Sequence, residues 1–418
     1  MRRAFWTISL LLLTLGAAAQ QKNPEIEALL EENIFRMGVN TSPYEYLPAA
    51  ETPVPRGFKP VYISHYGRHG SRSDWGGDLY PFIADAYARA AEEGLLTEEG
   101  IRAGQMVQEV VRQHNGMDGR LTARGAREHR AIAGRMYHKY RKVLRHANVR
   151  AISSVVPRCI VSMAAFTGEL LSQDPKMNVS WDTGEAYMIY CSSVDPDDVR
   201  DEAYEIIYAH AARHMPDTNA FMARIFRNPD EGRARIASAA EMIDGTMAIA
   251  AISGAFDMDD FLLRLFSADE RYWYAQNISL NLYLRQCNSI PFGDRRMAVP
   301  ECDAIMHDIV DKADEALAGG PYAADLRFGH DYQLLATCSR LGIRGIAERM
   351  DENECLDWPG FLYTPFAGNL QIIFYRNRAG QVLVKFYINE RETGLIGLEG
   401  GPYYKWEDVK NYWNNTTN

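Results

Sequence analysis

Residues 61–72 read Val61-Tyr62-Ile63-Ser64-His65-Tyr66-Gly67-Arg68-His69-Gly70-Ser71-Arg72. The first four are the β-prone mix of a short buried strand. They run into a loop, Tyr66 to Ser71, in which glycines allow the backbone to approach a ligand closely. Two arginines flank one histidine there. Guanidiniums held so near each other repel unless an anion lies between them, and their planar forks match the oxygens of a phosphate group. The same positive charge disfavours imidazolium, so His69 is expected to be neutral and available as a nucleophile. A solvated basic turn carrying a satisfied histidine is the competing reading of this stretch taken alone.

Outward from this loop the pattern is one of strands alternating with long helices. Thr97 is placed to cap a helix with Glu98 and Glu99 in its first turn, where carboxylates suit the helix dipole. Thr122 is placed to cap another, with Ile132, Met136 and Tyr140 at helical spacing. Val149 to Ser153 reads as a strand, and Arg158 to Leu171 as a helix behind Pro157. Strand signals return at Leu326-Arg327-Phe328, then at Leu370 to Tyr375 and Val382 to Ile388, the last two a hairpin around Asn377 to Gly380. A short helix near Trp406 to Trp413 closes the chain. This alternation predicts an α/β fold with a layered α/β/α core. Residues 183–267 read almost entirely as helix, with Ile236, Ala240, Ile243 and Met247 on one face. They are taken as a helical cap inserted between core segments 20–182 and 268–418.

Composition narrows the class. The 418 residues carry a net charge of −10 and are 47% hydrophobic, which excludes a disordered or collagen-like chain and argues against non-specific nucleic-acid binding. Met1-Arg2-Arg3, the apolar run Phe5 to Leu15 and Ala17-Ala18-Ala19 have the layout of a signal peptide spanning residues 1–19. An exported protein, periplasmic or extracellular, is therefore expected. No later apolar run of about 18 residues stands out, so the mature chain is expected to lack an integral membrane segment. Export makes disulfides possible among Cys159, Cys191, Cys287, Cys302, Cys338 and Cys355. By sequence proximity the first pairs to consider are Cys287 with Cys302 and Cys338 with Cys355.

The loop at Arg68-His69-Gly70 resembles the signature of the histidine phosphatase superfamily, in its acid phosphatase and phytase branch. Two further landmarks follow in order. Ser154-Val155-Val156-Pro157-Arg158, with Ser162 and Ala165-Phe166 behind it, looks like the segment that supplies a third phosphate-binding arginine. Arg327-Phe328-Gly329-His330-Asp331 looks like the second-histidine motif with its proton donor. Leu121-Thr122-Ala123-Arg124-Gly125 is a lesser echo, and Val384 to Glu392, with Asn389-Glu390, is similar to the multiple inositol polyphosphate phosphatase subgroup. The resemblance implies a phosphoglycerate-mutase-like core and a phosphoric monoester hydrolase. His69 would form a phosphohistidine; Arg68, Arg72, Arg158 and His330 would bind phosphate; Asp331, with His330, would complete the catalytic group. It implies a small-molecule phosphate ester as partner, inositol polyphosphates first, and neither cofactor nor metal. A broad acid phosphatase or sugar phosphatase, a phosphotransferase or mutase, and an inactive phosphate-binding protein are the alternatives. Oligomeric state is left open.

Two departures from the family pattern bear on substrate. Ser73 and Asp74 follow Arg72 where these enzymes usually place a proline, which puts a carboxylate at the pocket mouth. His330-Asp331 replaces the His-Ala-Glu common in the inositol polyphosphate subgroup. Elsewhere His210 and His214 lie one helical turn apart, but no third ligand accompanies them. Asp257, Asp259 and Asp260 read as a helix start rather than a calcium loop, and Cys159 as a buried structural thiol. Asn40, Asn277 and Asn415 fit the glycosylation acceptor pattern. There is no Walker loop and no dinucleotide fingerprint.

Overall fold

The computed structural model describes residues 21–415, so the expected signal peptide lies outside the described residues. Its centre is a mixed sheet in the order β3-β2-β4-β1-β5-β6-β7, with β8 paired to β6. The strands are β1 (Lys59–Arg68), β2 (Asn148–Ser153), β3 (Asn178–Thr183), β4 (Tyr322–Gly329), β5 (Asn369–Arg376), β6 (Val382–Ile388), β7 (Arg391–Thr393) and β8 (Tyr404–Lys405). β3, β2, β4 and β1 run parallel; β5 joins β1 antiparallel and begins the expected hairpin with β6.

Alternation along the central strands builds the layers. Ile63 of β1 and Leu326 and Phe328 of β4 enter one apolar core. It is covered by the helices Ala123–Lys139 and Pro157–Gln173, which supply Ile132, Met136, Met163 and Phe166. Tyr62 and Tyr66, one residue out of step, enter a second core with Ile305, Ile309, Leu334 and Leu335. Those side chains come from the helices Pro300–Leu317 and Asp331–Arg340. Both faces of the sheet are thus buried, the arrangement parallel strands require. The α/β expectation holds.

A third core is built mainly by helices. It joins Ile83 and Tyr87, Val107 and Val110, Phe221, Met242, Ile249 and Tyr272. The helical stretch read as 183–267 continues in the structure to Leu317, and this core also recruits the helices Leu79–Glu92 and Glu98–His114 from before β2. Apolar stripes show that a helix is buried but not which layer buries it. Ala240 is exposed rather than on the buried face, because the helix begins at Ala239 after its Ser238 cap and turns Met242, Ile243 and Met247 inward. Ala239–Phe256 is, contrary to the sequence reading, long and apolar enough to cross a membrane. It lies 72% buried in the helical core, as a core helix does.

Two local expectations also change. β1 runs to Arg68 because Tyr66, Gly67 and Arg68 pair with β4, and Tyr66 and Gly67 also with β5, so the loop begins only at His69. All six cysteines are buried free thiols. The suggested pairs do not form: Cys287, Cys338 and Cys355 pack in the second apolar core, while the Cys302 thiol donates to the Arg296 carbonyl. Their sequence proximity did not predict side-chain direction.

Candidate active site

Three parallel strands end side by side, where ligands collect in open α/β sheets. Arg68 of β1 lies opposite Gly329 of β4, and Ser153 of β2 opposite Phe328. The residues immediately after these strand ends, His69, Ser154 and His330, therefore emerge at one edge. Pro157 opens the next helix and places Arg158 in its first turn.

The loop after β1 is held from several sides. The His69 backbone N–H donates to Gly329 O at 2.9 Å, and the Ala367 N–H to His69 O at 2.9 Å. Gly70 N–H reaches Ser162 Oγ at 3.1 Å. Ser71 gives its N–H to Glu128 Oε2 at 2.8 Å and its hydroxyl to Oε1 at 2.7 Å. Thr122 caps its helix through Gly125 N–H and also donates its own N–H to Ser71 O at 2.9 Å. A Cβ on Gly70 would meet the Gly125 backbone at 2.5 Å, and one on Gly125 would meet Ser71 O at 2.2 Å. Only two glycines permit that approach.

His69 is buried, and its Nδ1 lies 3.0 Å from the carbonyl of Gly70. A carbonyl only accepts, so Nδ1 carries the proton and Nε2 keeps its lone pair. Burial, then Arg68, Arg158 and Arg72, drive the imidazole well below its ordinary pKa, so the ring is neutral even in acid.

The arginines are each tethered through the outer guanidinium nitrogens, Arg68 by both and the others by one. Arg68 donates through Nη1 to Thr364 O at 2.7 Å and meets Asp331 Oδ2 through Nη2 at 3.1 Å. Arg72 donates through Nη1 to Ser73 O and to Asp74 Oδ1, both at 2.9 Å. Arg158 donates through Nη2 to His330 Nδ1 at 3.2 Å. The Nε atoms of all three are buried without a protein partner. Arg72 and Arg158 lie over one indole, that of Trp75, at 4.4 and 4.9 Å. Burial and the neighbouring arginines push Arg68 down to about 10, though Asp331 opposes them. Packing like charges this way is unfavourable without an anion.

Because His330 Nδ1 accepts from Arg158, its Nε2 carries the proton and donates to Ser154 Oγ at 3.1 Å. Tyr332 stacks on this ring at 4.8 Å, and burial and Arg158 push it down to about 3. His330 thus aims Arg158. Asp331 opens its helix and accepts from Arg68, from Asn40 Nδ2 at 2.9 Å and from the Tyr332 N–H at 3.1 Å. Burial pushes its carboxyl up, but Arg68, Asn40 and His330 outweigh that and hold it below the usual range.

All the residues named for the site from sequence, His69, Arg68, Arg72, Arg158, His330 and Asp331, therefore converge. Asn40, Glu128, Trp75 and Ser154 were not foreseen in these roles. Glu128 had a signal: it is a charged residue on the stripe of Ile132 and Met136. Asn40, read only as a glycosylation acceptor, had none. Of the other candidates, Cys159 borders the site, its thiol 3.8 Å from His330 Nε2, and the rest lie apart. His210 donates through Nδ1 to Asn277 Oδ1 at 3.3 Å, and His214 stacks on Trp273 at 3.6 Å. Asp257 pairs with Arg124 and Arg127, Asp259 with Arg102 and Asp260 with Arg264. Cys159 is buried with its thiol 3.3 Å from Gly329 O. Among the described residues, no group of three or more His, Cys, Asp or Glu is placed to hold a metal ion.

No protein-family model matches the chain, and no curated protein matches it. Solved structures do. Bifidobacterium longum multiple inositol polyphosphate phosphatase in complex with inositol hexasulfate superposes with a TM-score of 0.67 at 16% identity, over 90% of this chain and 97% of that one. The phytase from D. castellii gives 0.71 at 13% identity, over 96% and 88%. Hafnia alvei phytase in complex with tartrate gives 0.54 at 12% identity, over 87% and 98%. The chain has the α/β fold of these phosphatases, as the sequence motifs led one to expect.

Proposed function

We propose that the protein is an exported phosphomonoesterase that works through a phosphohistidine on His69, acting on inositol polyphosphates or related phosphate esters. One observation carries the reading: three guanidiniums, each with a buried unpartnered Nε–H, surround a neutral histidine whose Nε2 lone pair is unused. The fold shared with inositol polyphosphate phosphatase and phytases supports the substrate class.

In the first step His69 Nε2 attacks phosphorus while the ester P–O bond breaks and the leaving oxygen takes a proton from Asp331. Arg68, Arg72 and Arg158 hold the equatorial oxygens, with His330 keeping Arg158 aimed. In the second step water attacks phosphorus, gives a proton to Asp331, and the P–N bond breaks to release inorganic phosphate. Asp331 is held ionised by Arg68, so it gains its proton when substrate phosphate draws Arg68 away and adds negative charge beside it. An acidic optimum follows.

Release of inorganic phosphate from a panel of esters, including inositol hexakisphosphate, glucose phosphate and p-nitrophenyl phosphate, tests the proposal. Turnover of the inositol esters, surviving exhaustive chelation, is expected. Absence of turnover across the panel between pH 4 and 7, or a requirement for a divalent ion, contradicts it.

A further inference from the structure

Arg72, like Arg68, is held by a backbone carbonyl and a carboxylate, but its carboxylate comes from its own loop. Its Nη1 donates to Asp74 Oδ1 at 2.9 Å, and the same oxygen accepts the Trp75 N–H at 2.9 Å. The side-chain hydrogen bonds and ion pairs of Asp74 among the described residues all fall within residues 72–75. They tie it to its own loop and not to the sheet or the helical unit. It is 37% exposed, against 11% for Arg72. A turn of Asp74 toward solvent would therefore take the carboxylate off Arg72 without unpacking a core, leaving the Ser73 carbonyl to hold Nη1. A carboxylate and a phosphate oxygen ask for the same guanidinium N–H, and like charges brought together near one cation repel. Arg68 already faces Asp331, so with Asp74 on Arg72 two of the three guanidiniums meet an internal anion.

We propose that Asp74 is a specificity-determining residue that competes with the substrate's phosphate for Arg72. The site then holds inorganic phosphate loosely and favours esters with few phosphates over those crowded with them. Trp75 makes the device workable. Its indole keeps Arg72 and Arg158 in place from below while Asp74 comes and goes. This inference rests on the phosphatase reading and refines its substrate class.

Asp74→Asn removes the charge and keeps the shape. Calorimetric titration with inorganic phosphate, which needs no turnover, is expected to show binding about tenfold tighter than in the wild type. The KM for inositol hexakisphosphate is expected to fall more than the KM for inositol monophosphate. Asp74→Glu, which retains the charge, is expected to stay close to the wild type. Unchanged or weaker phosphate binding by Asp74→Asn, an unchanged preference between the two esters, or equal tightening in Asp74→Glu overturns the role of Asp74. A wild-type protein that neither binds phosphate nor hydrolyses either ester overturns instead the phosphatase reading beneath it.

Discussion

His69 owes its free lone pair to a hydrogen bond with its own neighbour: the Gly70 carbonyl takes the Nδ1 proton and leaves Nε2 to the pocket. Both residues are in the motif, so this much was legible. Asp331 is set differently, by a partner 291 residues away in sequence. Asn40 donates more strongly to the ionised carboxyl than to the protonated one, and so helps hold the Asp331 pKa down. Asn40→Ala should raise it. An acid catalyst works only when protonated, so the limb on which kcat falls with rising pH should move to higher pH, by about one unit for a lost charge-assisted bond. The pH–kcat profiles of the two proteins measure this. An unmoved limb, or one moved toward acid, contradicts the assignment of Asp331. No sequence pattern could have found Asn40, because a hydrogen bond between chain ends exists only once the sheet has brought them together.

The strands and helices explain why three short motifs were enough to find the pocket. Each motif begins where a parallel strand ends, and β1, β4 and β2 are neighbours. A local strand-to-loop reading therefore located a site made of distant segments. The helix Ala123–Lys139 then fixes the loop, through Glu128 on Ser71 and the contact of Gly125 with Gly70. Gly125→Ala would drive a Cβ against backbone rather than a flexible side chain. It should destabilise the protein by about 1–3 kcal/mol and, by displacing His69, lower kcat by about a hundredfold. On the same helix a Cβ at Gly134 meets only the end of Glu169 at 3.6 Å, so Gly134→Ala should leave kcat unchanged. Urea unfolding and steady-state kinetics on both variants separate the two; equal activity would deny the loop its dependence on this helix. What the elements concealed was their grouping. The Thr97 cap placed the start of the helix Glu98–His114 correctly, but its assignment to the helical core depends on contacts with Phe221 and Ile225 that no period in the sequence records.

Across the molecule, two apolar cores sandwich the sheet and a third builds the helical unit. Asn40 comes from the N-terminal segment, whose turn Ile34–Thr41 packs into that unit through Met37 and Val39. Arg124 and Arg127, on the helix behind the phosphate-binding loop, pair with Asp257 of the helical unit. The helical unit thus supports the N-terminal turn that carries Asn40 and pairs with the helix behind the phosphate-binding loop. The cysteines teach the opposite lesson. The expectation of export suggested disulfides, yet these thiols are buried in packing, where side-chain direction and not spacing decides. The proposed activity stands on covalent chemistry at one atom. Wild-type protein mixed with a phosphate-labelled ester, quenched in alkali within milliseconds and digested, should yield a label that is acid-labile, base-stable and borne on Nε2 of His69. His69→Ala, folded by circular dichroism, should give neither label nor turnover. Label on another residue, or turnover that survives in His69→Ala, would contradict it.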